Sequence, residues 1–595
     1  MKPATENSNS IPARFTAWLV LFILPFIYMI SELHATLLIE LAGAAAALYV
    51  AMMLQSGKLR PNASFRALLV LLLTWLFLAG RSVFISVDPA VSWPVFVKAA
   101  GLAMLCLGTA TALTVSRQYL IFYQAALWAG LLNGIMAINE YIEAPPIPST
   151  WLDPASRELF RTRCAGIFTD PNIFAAFLAT IMLLTLGALF AARGSMSRVL
   201  AALALTGAGI AIITTLSRGG WIGLACGLAA GALIFFKNGC QTDSQGRRLL
   251  LAVVAVLLLV FFAGPFKMRL FSIGNPADMT FAQRTLINKG IFGALDRMPV
   301  AGHGLHSFNQ VYPRYRIVGG DYPMNAHNEF LHSMIETGFL SAGILALFAL
   351  LLLKSAIEKR ASNPDVACFT GVFVTLLIQN LSGFSSRILP TAAIIAMSAG
   401  AIMSFSATAG AAVVRPVKRR AAVILRLLAV LIVLLAPASF YLQQQMQVAG
   451  EALAGNHPEL AIQALQNVIN FEARNPAAHS LLATAFMQQG NLENATKMLQ
   501  RAAALNPGEP IFLVNLARLA AGNDAAAATG YYREALRLDP ASEQFRLEFA
   551  RFLLRTGKKS EALEELRTGL KFSPGFHDVY KGFREIETMI DQLTR

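Results

Sequence analysis

About thirteen apolar stretches, each long enough to cross roughly 30 Å of hydrocarbon as a helix, follow one another through the first three-quarters of the chain. They fall near 14–33, 35–54, 65–82, 95–114, 119–138, 172–192, 197–215, 219–237, 248–264, 329–354, 364–383, 388–408 and 422–443. In lipid every backbone amide and carbonyl must be satisfied within its own segment, which leaves an all-α, polytopic membrane helix bundle. Composition agrees: 56% of the 595 residues are hydrophobic and 14% are charged, with a mean hydropathy of +0.55. Lys2 and Arg14 precede the first stretch as in a signal peptide, but no small-x-small cleavage site follows. It is read as a retained first span.

The net charge of +15 is unevenly spread, with 33 Lys/Arg against 17 Asp/Glu up to residue 450 and 16 against 17 beyond it. The whole excess therefore lies among the spans, where loops explain it, and the bilayer rather than nucleic acid is the expected partner. With a cytoplasmic N-terminus every short inside loop is basic, from Lys58 and Arg60 to Lys418, Arg419 and Arg420. Segments 140–171, Arg218, 265–328 and all that follows 443 then lie outside, the periplasmic side if the membrane is a bacterial inner membrane. The long outer loop breaks the charge rule, with Lys267, Arg269, Arg284, Lys289, Arg297, Arg314 and Arg316 against three aspartates. An anionic ligand would explain this, and so would the indifference of long loops to charge. Five scattered cysteines without a CxxC pair give no sign of a disulfide framework or a metal site, and no cofactor is expected.

After residue 443 the sequence turns soluble, Ala-rich and evenly charged. Asn475-Pro476, Asn506-Pro507, Asp539-Pro540 and Ser573-Pro574 recur at intervals of 31, 33 and 34 residues, a period that resembles tetratricopeptide repeats. The expected domains are 1–443, a multi-span membrane part with 265–328 as its large outer loop, and 444–595, a helical repeat array. Such arrays present curved surfaces used for binding. A protein partner is expected there, and His457, His479 and His577 are read as surface or groove residues.

Four outer groups could carry chemistry. Arg163 leads through Gly166 to Asp170-Pro171-Asn172 at the start of a span, which by itself is a helix-capping signal. Ser217-Arg218-Gly219-Gly220-Trp221 puts an arginine where two apolar runs meet, either as a functional charge or as an interfacial anchor beside Trp221. Gln283-Arg284 precedes the Gly302-His303-Gly304 turn, and a guanidinium with backbone amides would suit a diphosphate. His327-Asn328 opens the tenth span, where a neutral histidine could take a proton from a hydroxyl or simply cap the helix. Glu336, nine residues on, lies off the face of His327 and is not paired with it.

The order R-x-x-G…P-N, S-R-G-x-W, an Arg-bearing outer loop with G-x-G-x-x-x-F, and H-N-x-x-L-x-x-x-x-E-x-G across about 160–345 resembles the O-antigen ligase and polymerase superfamily. The resemblance implies a metal-independent, inverting glycosyltransferase that moves a glycan from undecaprenyl diphosphate to a hydroxyl of lipid A-core, of a growing glycan or of a protein. It implies His327 as general base, Arg218 and Arg284 as the residues on the diphosphate, and Arg163, Asn172, Asn328, Gly302 and Gly304 as further substrate contacts. The repeats are an addition that plain lipid A-core ligases need not have. A transporter with an anion-binding outer loop is the reading from a different class. It calls for charged pairs at mid-depth, whereas Glu40 and Lys98 look isolated in sequence.

Overall fold

In a computed structural model the described residues are 11–143, 163–237, 244–263, 279–317, 325–358, 364–409, 419–572 and 581–594. Arg161, Lys267, Arg269, Asp278, Asp321 and His577 lie outside them. The membrane part runs through helices α1 (Ile11–Ile30), α2 (Glu32–Gln55), α3 (Ala63–Phe84), α4 (Pro89–Ser116), α5 (Leu120–Glu143), α6 (Pro171–Ala191), α7 (Ser195–Thr214), α8 (Arg218–Lys237) and α9 (Ser244–Ala263). It continues with α10 (Met279–Phe292), α11 (Glu329–Thr337), α12 (Phe339–Glu358), α13 (Pro364–Asn380), α14 (Leu389–Ser404) and α15 (Arg419–Ala454). The fold is all-α, as expected.

Among the described residues ten helices are long and apolar enough to cross a membrane, and α13 and α14 are shorter apolar helices. The expected window at 329–354 is two helices, because Gly338 at φ 87° ends α11 before α12 begins. Glycine adopts this positive φ without a Cβ penalty, and the chain turns there instead of continuing the helix. The only strand pairing among the described residues joins Leu59–Pro61 to Ala407–Ala409, antiparallel. Two loops assigned to the same side by their charge therefore do meet.

Small residues let these helices approach. Gly223, Gly227 and Gly231 form a stripe at four-residue spacing on α8 that lies against α13. A Cβ at Gly223 would stand 2.7 Å from Gln379 Cγ, and one at Gly231 would stand 3.0 Å from the Ala367 carbonyl. Close backbone contact replaces the hydrophobic drive that is missing between helices in lipid. α6 is the most enclosed span, with 83% of its apolar window buried, so its N-terminal Asp170–Asn172 sits at the centre of one end of the bundle.

α15 is one 36-residue helix, and the expected boundary at 443 falls inside it. Ala422, Leu425, Ala429 and Ile432 pack in the bundle core, while Leu442, Ala449 and Ala452 pack with the first repeat. Helical hairpins follow from Pro458–Phe471 to Lys581–Thr594. Asn475, Asn491, Asp524 and Ser542 cap the starts of their helices, whereas Asn506 and Asp539, the other residues of the Asn/Asp-Pro steps, stand at helix ends and lead into the turns.

The array is seated on the bundle through these same turns. Trp93 Nε1 donates to Glu472, Asn506 Nδ2 donates to Gln310 Oε1 at 3.2 Å, and Arg316 donates to the Ala541 carbonyl. A cavity of about 680 Å³ remains between the parts, lined by Ser86, Val87, Arg314, the 505–508 turn and Pro540.

Candidate active site

Two of the four outer groups form one cluster around Asn172. Asp170 caps α6, its Oδ1 accepting from the Asn172 amide at 2.7 Å and the Ile173 amide at 3.2 Å. This holds Asn172 so that its Oδ1 accepts from Arg163 Nη2 at 3.3 Å and from Ser217 Oγ at 3.0 Å. Arg163 Nε donates to the Thr215 carbonyl at 3.0 Å. Leu216, at φ 54°, turns the chain from α7 into α8 and sets the half-buried Arg218 at the start of α8. Trp221 Nε1 is tied to the Ile212 carbonyl at 3.0 Å. Arg163, Asn172 and Arg218 thus share one end of the bundle.

The other two groups meet around His327. α10 buries Ile287 and Ile291 against Ala326, Leu331 and Ile335, and Arg284 lies one helical turn before Ile287, on that same face. The Arg284 charge reaches His327. Burial first, then the Arg284 charge, push the His327 imidazole down to about 3, so the ring is neutral across ordinary pH. Its Nδ1 is buried without a hydrogen-bond partner. The ring stands edge-on to Phe384 at 5.3 Å, and its backbone is left-handed at φ 50°. Asn328 caps α11, its Oδ1 accepting from the Leu331 amide at 3.2 Å.

Segment 381–388 links the two groups. Ser382 faces Gly219, next to Arg218, Phe384 meets His327, and Arg387 grips α11. Arg387 donates to Glu329 through Nε (3.1 Å) and Nη2 (3.0 Å) and to Glu336 Oε2 through Nη1 (2.7 Å). Glu336 Oε1 lies 2.9 Å from His332 Nε2. Burial alone would raise the Glu336 carboxyl, but Arg387 and then His332 hold it well below the usual carboxylate range. Sequence reading missed His332 and Arg387. The i,i+4 spacing of His332 and Glu336 was visible in the sequence, whereas Arg387 lies 51 residues from its carboxylate.

Two expectations need correction. The Gly302–Gly304 turn does not offer its amides to a ligand: Gly302 N donates to Pro299 O (2.9 Å), His303 N to Ile335 O (2.9 Å) and Gly304 N to Glu336 O (2.8 Å). The glycines are there because the turn is left-handed, at φ 77° and 108°, and packs flat on the end of α11, where those amides satisfy open helix carbonyls. Nor is Lys98 isolated. It lies within electrostatic reach of Glu32, Glu40 and Arg387, and Glu40 is buried about 12 Å along α2 from Glu32.

The arrangement offers one neutral imidazole, with a nitrogen lacking a partner, beside the Arg284 guanidinium, and segment 381–388 links it to the group that holds Arg163 and Arg218. That set can take a proton from a hydroxyl and balance an anionic leaving group.

Comparison with known families gives residues 200–348 as a match to the O-antigen ligase model, a stretch that contains Arg218, Arg284 and His327. Tetratricopeptide-repeat models match 449–510, 480–543 and 518–584. No curated protein matches the chain. Among solved structures, MamA is 16% identical, covering 26% of this chain and 86% of its own, with a TM-score of 0.22. A thermophilic tetratricopeptide-repeat protein of Thermus thermophilus is 17% identical over 28% of this chain and 93% of its own, with a TM-score of 0.22. An O-GlcNAc transferase mutant of Thermobaculum terrenum is 23% identical over 21% of this chain and 26% of its own, with a TM-score of 0.20. Residues 200–348 thus match the O-antigen ligase family inside a bundle of apolar helices, and tetratricopeptide repeats follow.

Proposed function

We propose that this protein is a glycosyltransferase of the bacterial inner membrane that transfers a glycan from undecaprenyl diphosphate to a hydroxyl on the periplasmic face, with lipid A-core the favoured acceptor. The observation that carries the reading is the neutral, half-buried His327 beside Arg284 within the segment that matches the ligase family. The acceptor hydroxyl gives its proton to His327 while its oxygen attacks the anomeric carbon, and the bond to the diphosphate breaks on the opposite side with inversion. Arg284 and Arg218 balance the charge that gathers on the leaving diphosphate, and Arg163 lines the same end of the bundle. Bound diphosphate also offsets the Arg284 charge, which raises the affinity of His327 for the proton at the step that needs it.

A growing glycan or a protein as acceptor would use the same chemistry. One observation favours a different class: Lys98 and Glu40, both within spans, lie within electrostatic reach of each other, and charges inside spans are also a mark of transporters. The family match weighs against it, since it falls on the groups suited to transfer.

The test is a glycan profile of cells carrying wild type or His327→Ala. The proposal expects glycan lost from lipid A-core with long chains held on the carrier. Single repeats on the core would mean a polymerase, and loss confined to glycoproteins would mean a protein oligosaccharyltransferase. No change in any fraction would remove the glycosyltransferase reading.

A further inference from the structure

His327 holds an uncommon backbone conformation, left-handed at φ 50° for a residue with a Cβ, and such a residue persists only where its surroundings hold it. Its two chain neighbours are both tied to α11. The Ala326 amide donates to His332 Nδ1 at 3.3 Å, and the Asn328 carbonyl accepts from the His332 amide at 2.9 Å. Because His332 Nδ1 accepts, the ring proton sits on Nε2 and is donated to Glu336. Glu336 is 1% exposed and His332 3% exposed, and their shared hydrogen bond fixes the ring that receives Ala326.

The second support comes from the opposite side. Arg387 forks onto Glu329, in the first turn of α11, and reaches Glu336 with its remaining arm. This clamps segment 384–387 to α11 and keeps the Phe384 ring against His327. The backbone support and the ring support of His327 therefore converge on the Glu336 carboxylate and the Arg387 guanidinium.

We infer that His332, Glu336 and Arg387 are positioning residues for His327, a buried relay that fixes the base from its backbone and from its ring while touching no substrate. The inference rests on the reading of His327 as the base. Arg387 cannot be replaced by lysine here, because an ammonium has no planar fork to hold two carboxylates together.

The test uses full-length protein in bilayer nanodiscs, a polyprenyl diphosphate-linked glycan and a hydroxyl acceptor, with Glu336→Gln, Arg387→Lys and Phe384→Leu beside His327→Ala. A loosened base should lower kcat roughly ten- to a hundred-fold, with donor KM unchanged. A freed, hydrated His327 should also move the acid limb of the kcat profile upward, toward the ordinary histidine range, a change that loss of folded protein alone would not produce. Phe384→Leu removes only the ring support and should show the same shift in smaller degree, which keeps the test open if Arg387→Lys does not accumulate. Wild-type kcat and acid limb in Glu336→Gln and Phe384→Leu, with His327→Ala inactive, would overturn the relay alone. An active His327→Ala would overturn the base assignment beneath it.

Discussion

In the bundle, Arg387 is 19% exposed and divided between Glu329 and the 1%-exposed Glu336. In the repeat array, Arg533 and Glu561 pair at 3.1 Å with 62% and 37% exposure. The first arrangement satisfies charges removed from water, and breaking one side would leave the other uncompensated. The second is a solvated pair worth little. Hydrophobic surface is used in the reverse sense: bundle helices leave Phe77, Phe84 and Leu233 exposed, as lipid allows, while the repeats bury Phe549, Phe552 and Leu566. A charge retained inside the apolar region is therefore a pointer to function, and an exposed charge on the repeats is not.

The contrast can be broken at several points. The largest effect on stability is expected from Phe549→Ala, which empties the core of one repeat and should cost about 3–5 kcal/mol. Because repeats contact chiefly their neighbours, hydrogen exchange should rise there and stay unchanged in α6. An equal rise in α6 would show that the two parts unfold as one.

Gly227→Leu should come next, at roughly 1–3 kcal/mol or more, since the added side chain meets Thr375 and the Gly371 carbonyl across the α8–α13 contact. Thermal melting in detergent measures it. A melting point equal to wild type would mean that α8 and α13 do not touch at this stripe.

The seat of the repeats adds a pH dependence. Burial, then Asp88 and Asp539, raise the Glu509 carboxyl to about 7, above its unfolded value. The folded form thus binds the extra proton, so its stabilising contribution is complete at low pH and fades as pH rises through 7. Protection of 506–509 in hydrogen exchange should fall between pH 5 and 8, and Glu509→Gln should flatten that change. Protection that rises with pH would contradict the seat described for this turn. At the small end, Arg533→Ala should leave melting and transfer as they are, and a clear loss would show that the exposed pairs of the array do more than solvate it.

Much of this was legible in the sequence. Apolar windows mark the helices because lipid permits little else, and Asn/Asp-Pro steps mark the repeats because they stand at the turns between repeat helices. The break at Gly338 was hidden, since an apolar run reads alike across one helix or two. The Gly302–Gly304 turn misled, because glycine required by backbone conformation has the same spelling as glycine required by a phosphate. Arg387 could not be found from spacing, as its partners lie more than fifty residues away, and neither could the seating of repeat turns on Gln310 and Arg316. Pairings distant in sequence belong to the fold and not to any local pattern.

The central claim is that His327, held neutral beside Arg284, accepts the proton of the acceptor hydroxyl. It is tested most directly by single-turnover release of the diphosphate carrier from a polyprenyl-linked glycan, comparing wild type with His327→Ala in nanodiscs at pH 7. Loss of a general base should slow release by about a hundredfold or more while donor still binds. Release at the wild-type rate would contradict the account.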